Sequence, residues 1–217
     1  MPRTAFSMNE ELILVGFGGH AHVLLDIINL HPHLFCIGYV DKLKKEKNHF
    51  GLEYFGDDEH FFSKKNNLDK KLINALVMKE NCTLRKNIYV SYKNHGYSFA
   101  SLIHPSAIIS ECSHIQGGVQ VCAGSIIQAQ ASIEANTIVN TGSIIEHDVL
   151  IGEHCHVAPG AVICGFSKIG NCVFIGANAT VLPGISICDD VTIGAGAVVN
   201  KDITLPGKYV GVPAEKL

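Results

Sequence analysis

Three histidines occur close together in the second half of the chain, at positions His147, His154 and His156. Acidic residues, Asp148 and Glu153 among them, lie between these histidines. Imidazole titrates near neutral pH and is also a common metal ligand. The group could therefore supply catalytic bases, metal ligands or a polar surface, depending on whether the fold brings the three rings together.

The region that contains these histidines repeats every six residues. Every sixth residue from Ile109 to Leu205 is Ile, Val or Leu, a run of 17 positions. The residue two places earlier is small or β-branched, as at Ser125, Ala131 and Thr137. This period predicts a parallel β-helix with three six-residue sides to a coil, the aliphatic residue pointing inward and the small residue allowing the corner. Glycines follow several of the aliphatic residues, where a side chain would be crowded: Gly152, Gly170, Gly176 and Gly194.

One coil of such a helix has 18 residues, and residues 18 apart stack at about 4.8 Å. Gly165 follows His147 by 18 residues and is expected to stack on it. His156 is half a coil from His147, so the two side chains serve one site only if they come from neighbouring subunits. His154 is two residues from His156 and is expected at the surface.

Two other interpretations of the histidines remain open at this point. Three imidazoles across a subunit interface could bind zinc, as in the gamma-class carbonic anhydrases, which share this helix. Those enzymes lack a nucleotide-binding front domain. Alternatively, all three histidines belong to a polar surface.

The first half of the chain has a different pattern, in which short apolar runs alternate with helical spacing. This alternation predicts a parallel sheet in a small α/β, Rossmann-like domain. We place this domain at residues 1–103 and the β-helix at 104–217. The predicted strands are 12–16, 35–41, 71–78 and 97–103, the predicted helices are 19–30 and 81–94, and 41–50 is expected to be a solvated loop.

The first predicted strand leads into the pattern G-x-G-x-x-A, from Gly16 to Ala21, and Asp41 lies 20 residues beyond. These are features of a dinucleotide-binding turn, in which glycines allow phosphate to approach the backbone at a helix N-terminus. About 100 residues make one half of a doubly wound fold, so there is no second half for a nicotinamide.

Composition excludes several classes of function. The net charge is −3, with 17 Lys and Arg against 20 Asp and Glu, which argues against a nucleic-acid surface. No apolar run approaches the roughly 18 residues of a membrane span, and the start of the chain lacks a signal-peptide cleavage site. The eight cysteines contain no C-x-x-C pair, and we expect them to be small apolar fillers in a reducing cytoplasm.

Five segments in this order resemble one family: GFGGHAHVLLDII, GYVDK, IHPSA, NTGSIIEHDVLIGEHCHVAPGAVICG and GVPAEKL. The family is the bacterial sugar acetyltransferases of the left-handed β-helix type. It includes UDP-4-amino-sugar (bacillosamine) N-acetyltransferases, GDP-perosamine N-acetyltransferases and sialic acid O-acetyltransferases. The resemblance covers essentially the whole chain. It implies a homotrimer with sites at subunit interfaces, acetyl-CoA as co-substrate, no metal, and a nucleotide-linked amino sugar as partner.

The resemblance also implies roles for the residues around the histidines. His147, in the motif E-H-[DE], is the general base, and Asp148 tunes it. His156 contacts acetyl-CoA from an adjacent subunit, and the Gly165 N–H donates to the thioester carbonyl. This agrees with the stacking of a residue without a side chain on His147.

In the front domain, the resemblance implies a site for the nucleotide of the sugar substrate. Gly18, Gly19 and His20 form the phosphate turn, and Asp41 and Lys42 lie at the end of the second strand.

Near the C-terminus, backbone amides around Ala177, Gly194 and Ala195 either line a CoA groove between subunits or form ordinary corners of the β-helix. The sequence thus predicts a cytoplasmic, trimeric N-acetyltransferase of the 4-amino group of a UDP-linked sugar. Sialic-acid-type O-acetylation and GDP-perosamine N-acetylation are the alternatives within this class. Outside it stand a zinc hydratase and a catalytically silent scaffold.

Overall fold

The computed structural model of the protein describes residues 10–45, 48–64, 67–78 and 81–217. The described residues form two compact units. One contains the chain up to Leu76 together with Val90–Ala100, and the other contains Val77–Tyr89 and Ser101–Leu217. None of the helices in these residues is both long and apolar enough to cross a membrane.

The first unit is built on a five-stranded parallel sheet with the strand order β3-β2-β1-β4-β5. Its central strand is buried on both faces, with Leu12, Ile13 and Leu14 fully inaccessible, as is typical of parallel sheets covered by helices. The strands are β1 (Glu10–Val15), β2 (Leu34–Val40), β3 (Glu53–Tyr54), β4 (Lys71–Asn74) and β5 (Ser98–Phe99), and the helices of the chain are α1 (Gly19–Asn29), α2 (Asp58–Lys64) and α3 (Thr83–Asn94).

This arrangement confirms the predicted α/β front domain. The sequence pattern missed β3 and α2, which are short and lie in polar sequence. The predicted strand 97–103 is two strands: β5 joins this sheet, whereas β6 (Leu102–Ile103) belongs to the second unit. The chain leaves one sheet and enters the next within three residues, Ala100 being the last residue of the first unit.

The second unit is a parallel β-helix whose strands are nearly all two residues long. They are β6, β7 (Ile108–Ile109), β8 (His114–Ile115), β9 (Gln120–Val121), β10 (Ile126–Ile127), β11 (Ser132–Ile133), β12 (Ile138–Val139), β13 (Ile144–Ile145), β14 (Leu150–Ile151), β15 (His156–Val157), β16 (Val162–Ile163), β17 (Lys168–Ile169), β18 (Phe174–Ile175), β19 (Thr180–Val181), β20 (Ser186–Ile187), β21 (Val191–Ile193), β22 (Val198–Val199), β23 (Gly207–Val210) and β24 (Glu215–Lys216).

These strands form the three sides of the prism. Their orders are β22-β19-β16-β13-β10-β7, β20-β17-β14-β11-β8 and β24-β23-β21-β18-β15-β12-β9-β6. Neighbouring strands pair 18 residues apart, for example Ile126 with Ile144 and Ile144 with Val162. The predicted coil length is therefore confirmed.

The aliphatic residues that recur at every sixth position fill the interior of the prism, since Ile133, Val139, Ile145 and Val157 are fully buried. This series ends earlier than the sequence predicted, because Leu205 is 60% exposed. The last coil is two residues shorter: Ile187 bridges to Ile203, and Ile193 pairs with Tyr209. Tyr209 is consequently the inward residue, and the prediction for Leu205 is wrong.

The corners turn at residues with positive φ. Asp148 (φ 59°) and Asn178 (φ 55°) occupy this position, each three residues before an inward aliphatic residue. The neighbouring small residue is instead packed inside the prism, as at Ala161. Predicted crowding after the aliphatic residue is confirmed at Gly152, where a Cβ would lie 2.7 Å from the carbonyl carbon of Gly170 in the next coil.

One disulfide bond joins Cys82, just before α3, to Cys172 on a corner of the β-helix, 90 residues later. Both residues belong to the second unit. The expectation that all cysteines are unpaired fillers is wrong for these two. Cys155 fits it: the side chain is buried, and burial raises the pKa of its thiol to about 12.

Candidate active site

His147 and Asp148 form a turn that follows strand β13. The His147 Nδ1 and Asp148 Oδ2 atoms are 2.9 Å apart, and both side chains are about half exposed. An ionised carboxylate only accepts hydrogen bonds, so His147 Nδ1 carries the hydrogen and donates a hydrogen bond to Asp148. The lone pair of the neutral imidazole is then at Nε2, where it can accept a proton.

Gly165 stacks against His147 in the next coil. A Cβ atom on Gly165 would lie 2.7 Å from both Cε1 and Nε2 of His147, so the imidazole occupies the space that a side chain would fill. Within the part of the chain that the structure describes, no hydrogen bond uses the Gly165 N–H as a donor. The corner therefore combines a proton acceptor with a free amide donor.

Phe166 belongs to the same corner and was not predicted from the sequence. Its ring makes a T-shaped contact with His147, with ring centroids 5.0 Å apart. Its N–H donates to the His147 carbonyl oxygen at 3.1 Å. Phe166 is the positive-φ residue of its corner (φ 62°), and its side chain is exposed.

His156 lies on a different side of the prism, at the start of β15 in the eight-stranded sheet. It is buried, its Nε2 lies 3.2 Å from Asn140 Nδ2, and its ring makes a T-shaped contact with Phe174. The structure thus separates His156 from His147 as the coil length predicted.

His154 is not at the surface, and that expectation is wrong. Its side chain is 4% exposed, its Nδ1 lies 2.9 Å from Asn136 Nδ2, and its ring packs against Tyr89. Burial lowers the pKa of His154 to about 4, and the positive charges of Lys86 and Arg85 act in the same direction. Glu153, 3.6 Å from Nε2, does not outweigh them.

Ala177, Gly194 and Ala195 lie on the corners that precede β19 and β22, at the opposite edge of the six-stranded sheet from His147. The Gly194 N–H donates to the Tyr209 carbonyl oxygen at 2.8 Å and is not available to a ligand. The N–H groups of Ala177 and Ala195 are not donors in any hydrogen bond among the described residues.

In the first unit, Gly18 is the N-cap of α1 and Gly19 and His20 begin the helix. No side chain caps this end, and its first turn contains no acidic residue. Asp41 holds the turn in place: its carboxylate accepts hydrogen bonds from the N–H groups of Phe17 (2.9 Å) and Leu43 (3.4 Å). The Asp41 carboxylate therefore forms hydrogen bonds within the protein and stabilises this turn.

A pocket of about 540 Å³ opens at this helix end. Its lining includes Gly18, Gly19, His22, Lys44 and Lys45. The exposed Lys42, a predicted substrate-binding residue, does not line this pocket. The predicted solvated loop 41–50 includes residues 46–47, which lie outside the described residues. In its described part, Lys45 pairs with Asp41 at 3.3 Å. The closely spaced lysines that follow the second strand are the sequence signal that could have indicated Lys44 and Lys45 as residues of this pocket.

Comparisons with known proteins match both parts of the chain. Residues 130–165 and 166–201 match the model of the bacterial transferase hexapeptide (six repeats), and residues 11–92 match that of the PglD N-terminal domain. The PerB structure from Caulobacter crescentus, in complex with CoA and GDP-perosamine, is 30% identical to this chain. The alignment covers 95% of this chain and 97% of PerB, with a TM-score of 0.86.

The chain belongs to the bacterial sugar acetyltransferases of the left-handed β-helix type. It is accordingly an acyltransferase. The acetyltransferase domain of PglB from Neisseria gonorrhoeae, in complex with acetyl coenzyme A, is 27% identical to it. That alignment covers 96% of this chain and all of that domain, with a TM-score of 0.87. WeeI from Acinetobacter baumannii has the same fold, at 20% identity and a TM-score of 0.82.

In this acetyltransferase the three histidines of the motif do not form a common metal-binding group. Among the described residues, only Cys82, Cys172 and Asp190 place three potential metal-ligating atoms within 4.8 Å of one another. The two cysteine sulfurs in that group are bonded to each other. Within one chain the three histidines therefore do not meet, and the comparisons indicate an acetyltransferase family rather than a metal-dependent one.

Proposed function

We propose that this acetyltransferase transfers the acetyl group of acetyl-CoA to the 4-amino group of a UDP-linked amino sugar in bacterial glycan synthesis. The observation that carries the proposal is the His147–Asp148 pair with the amide of Gly165 against its ring. Such a corner offers a base and an oxyanion donor within one small volume. The solved structures with CoA, acetyl coenzyme A and GDP-perosamine support it.

His147 accepts a proton from the attacking amine through Nε2. The amine nitrogen forms a bond to the thioester carbonyl carbon, and the carbon–sulfur bond breaks to release CoA. Asp148 holds the ring and stabilises the imidazolium that forms, because its carboxylate is 2.9 Å from Nδ1. The imidazolium can return its proton to the departing sulfur, so the enzyme ends the cycle unchanged.

Gly165 stabilises the charge that develops on the carbonyl oxygen. Its N–H has no acceptor among the described residues, so it can donate without breaking a bond of the fold. One such donor contributes about 10²–10³-fold to the rate in acyl-transfer enzymes. Ala177 and Ala195 offer free amides of the same kind, and His156 an imidazole, for the rest of acetyl-CoA.

The nucleotide of the acceptor binds in the first unit, at the N-terminus of α1. A helix start without a side-chain cap, beside Lys44 and Lys45, favours a phosphate group through the direction of its backbone N–H groups and through positive charge. Gly18 and Gly19 leave the backbone accessible, since a Cβ on either would meet nothing within 4 Å. Asp41 positions this turn through its hydrogen bond to Phe17.

The enzyme works as a cytoplasmic homotrimer. The six-stranded sheet presents an outward column that is aliphatic apart from one threonine: Ile108, Ile126, Ile144, Val162, Thr180 and Val198. The five-stranded sheet presents one aliphatic residue in five: His114, Ser132, Leu150, Lys168 and Ser186. A second copy on the apolar column would join the His147 corner of one subunit to the Ala177 and Ala195 corners of the next.

A thiol-release assay with acetyl-CoA tests the proposal directly. The acceptors are a UDP-linked 4-amino sugar, GDP-perosamine and sialic acid. We expect acetylation of the UDP-linked sugar, and loss of at least about 10³-fold in kcat with His147→Ala. His114→Ala, which removes an exposed histidine from a strand on another side of the same β-helix, is the matched control.

The outcomes separate the alternatives. Preference for GDP-perosamine would keep the mechanism and change the carrier nucleotide, as the 30% identity to PerB allows. Acetylation of sialic acid alone would replace the amine by a hydroxyl group. Full activity of His147→Ala with every acceptor would contradict the mechanism.

A further inference from the structure

Phe166 is a large apolar residue that the fold does not bury. Its side chain is 60% exposed, directly beside Gly165 and His147. The corner that it occupies does not need an aromatic residue, since equivalent corner positions hold Gly142 and Asp148. Packing of the β-helix therefore gives no reason for a phenylalanine here.

The backbone of Phe166 is also unfavourable for this residue type. Eight non-glycine residues in the described part of the chain have positive φ. Five of them are Asn, Asp or His, types that tolerate the left-handed conformation, and Phe166 is the one with a large apolar side chain. Strain of this kind tends to be retained where it places a group for function.

The ring lies beside the imidazole that the acceptor must reach. Its centroid is 5.0 Å from that of His147, at an interplanar angle of 86°. An atom hydrogen-bonded to His147 Nε2 lies about 4 Å from the same imidazole centre. In the next coil Gly184 adds no side chain near the Phe166 position, and a Cβ there would meet nothing within 4 Å. The space next to the ring is open.

We infer that Phe166 is a specificity-determining residue whose ring packs against an apolar part of the acceptor next to the attacking nitrogen. This inference rests on the proposed function. The group that fits is a methyl substituent, or an unsubstituted carbon, beside the amine-bearing carbon of the sugar. A hydroxymethyl group at that place would lose water without gaining a partner from the ring.

The acceptor, rather than acetyl-CoA, is the molecule that the ring contacts. His147 removes the acceptor's proton and must touch it, and Phe166 touches His147. Acetyl-CoA also reaches this corner, because its thioester carbonyl is proposed to accept a hydrogen bond from the adjacent Gly165 N–H. The KM of acetyl-CoA is therefore measured beside the KM of the acceptor.

The test compares two nucleotide-linked 4-amino sugars that differ only in carrying a methyl or a hydroxymethyl group beside the amine-bearing carbon. We expect the wild-type enzyme to prefer the methyl acceptor by about tenfold in kcat/KM. Phe166→Asn keeps a residue suited to positive φ and removes the ring, and it should reduce that preference to about threefold or less. The reduced preference should appear as a change in the KM of the acceptor. Phe166→Leu should restore part of the preference for the methyl acceptor.

Leu150→Ala, which removes an exposed apolar residue from another side of the β-helix, is the control and should keep the preference. An unchanged preference in Phe166→Asn would overturn the inference, as would a rise in the KM of acetyl-CoA alone. Loss of the trimer in that variant, measured by light scattering, would instead assign the ring to subunit contact. A wild-type enzyme that acetylates neither sugar would refute the proposed function, and this inference with it.

Discussion

Substitution of Gly165 by alanine isolates the geometry on which the proposed mechanism depends. The added Cβ would lie 2.7 Å from Cε1 and Nε2 of His147, whereas ordinary contacts between such atoms are about 3.5–4.0 Å. The ring must therefore move by about 1 Å, a displacement that can reduce a reaction rate about 10²-fold. This corresponds to about 2.7 kcal/mol in the activation free energy.

The same substitution should change stability very little. The three atoms nearest to that Cβ belong to one half-exposed side chain, which can rotate toward solvent. We expect a loss of less than about 1 kcal/mol, which is a Tm change of about 2–4 °C for a chain of this size. The assays are steady-state kinetics of thiol release and thermal unfolding of the same preparations.

Gly152→Ala is the contrasting variant. Its Cβ would lie 2.7 Å from the carbonyl carbon of Gly170, a backbone atom that cannot yield easily. Here we expect a loss of about 1–3 kcal/mol in stability and a kcat/KM within about threefold of the wild-type value, since this corner contacts no reacting group. Gly165→Ala with wild-type kcat/KM, or with the larger loss of Tm, would refute the reasoning.

Three further predictions concern stability and assembly. Reduction of the Cys82–Cys172 bond, which closes 90 residues, should lower the free energy of unfolding in urea by up to about 4 kcal/mol. His154 has a folded pKa of about 4, below the 6.5 of an unfolded histidine; stability should therefore fall as the pH drops from 6.5 toward 4, by up to about 3 kcal/mol. Ile144→Asp on the apolar column should convert the trimer to monomers in light scattering and abolish activity, while far-UV circular dichroism stays unchanged.

Each of these has a matched control. The double variant Cys82→Ser and Cys172→Ser should unfold at the same urea concentration with and without reductant, and a midpoint that still depends on reductant would contradict the first prediction. His154→Gln should flatten the acid side of the stability profile, whereas an unchanged profile would show that another group titrates. Leu150→Asp should leave the trimer intact; monomers in both aspartate variants would point to general destabilisation.

The sequence determined the coil of the β-helix and the stacking of Gly165 on His147. A period of six fixes the register of the strands up to the last coil, because each inward aliphatic residue meets the one 18 residues later. Local patterns were also sufficient for β1, α1 and β2, where burial and periodicity agree. The family resemblance rests on the same segments, and it implies the roles of His147 as general base and Asp148 as its partner without any distance from the structure.

Only the tertiary structure decided the surroundings of the outward-facing residues. The 18-residue coil predicts that His154 points away from the interior of the prism, and it does. Tyr89, from the segment Val77–Tyr89, packs against its ring, and the side chain is therefore buried. The same segment brings Cys82 to Cys172. No repeat in the sequence encodes which distant segment covers which corner, because the repeat specifies only contacts between a coil and its neighbours.

The structure also decided the chemistry of the corners. Periodicity showed that a corner must turn, but not that residues such as Asp148 and Phe166 would turn it with positive φ. At this corner the Phe166 ring contacts His147, and the Gly165 amide is not a donor to any described residue. The sequence thus determined which residues share the His147 corner, and the backbone geometry decided what each of them can contact there.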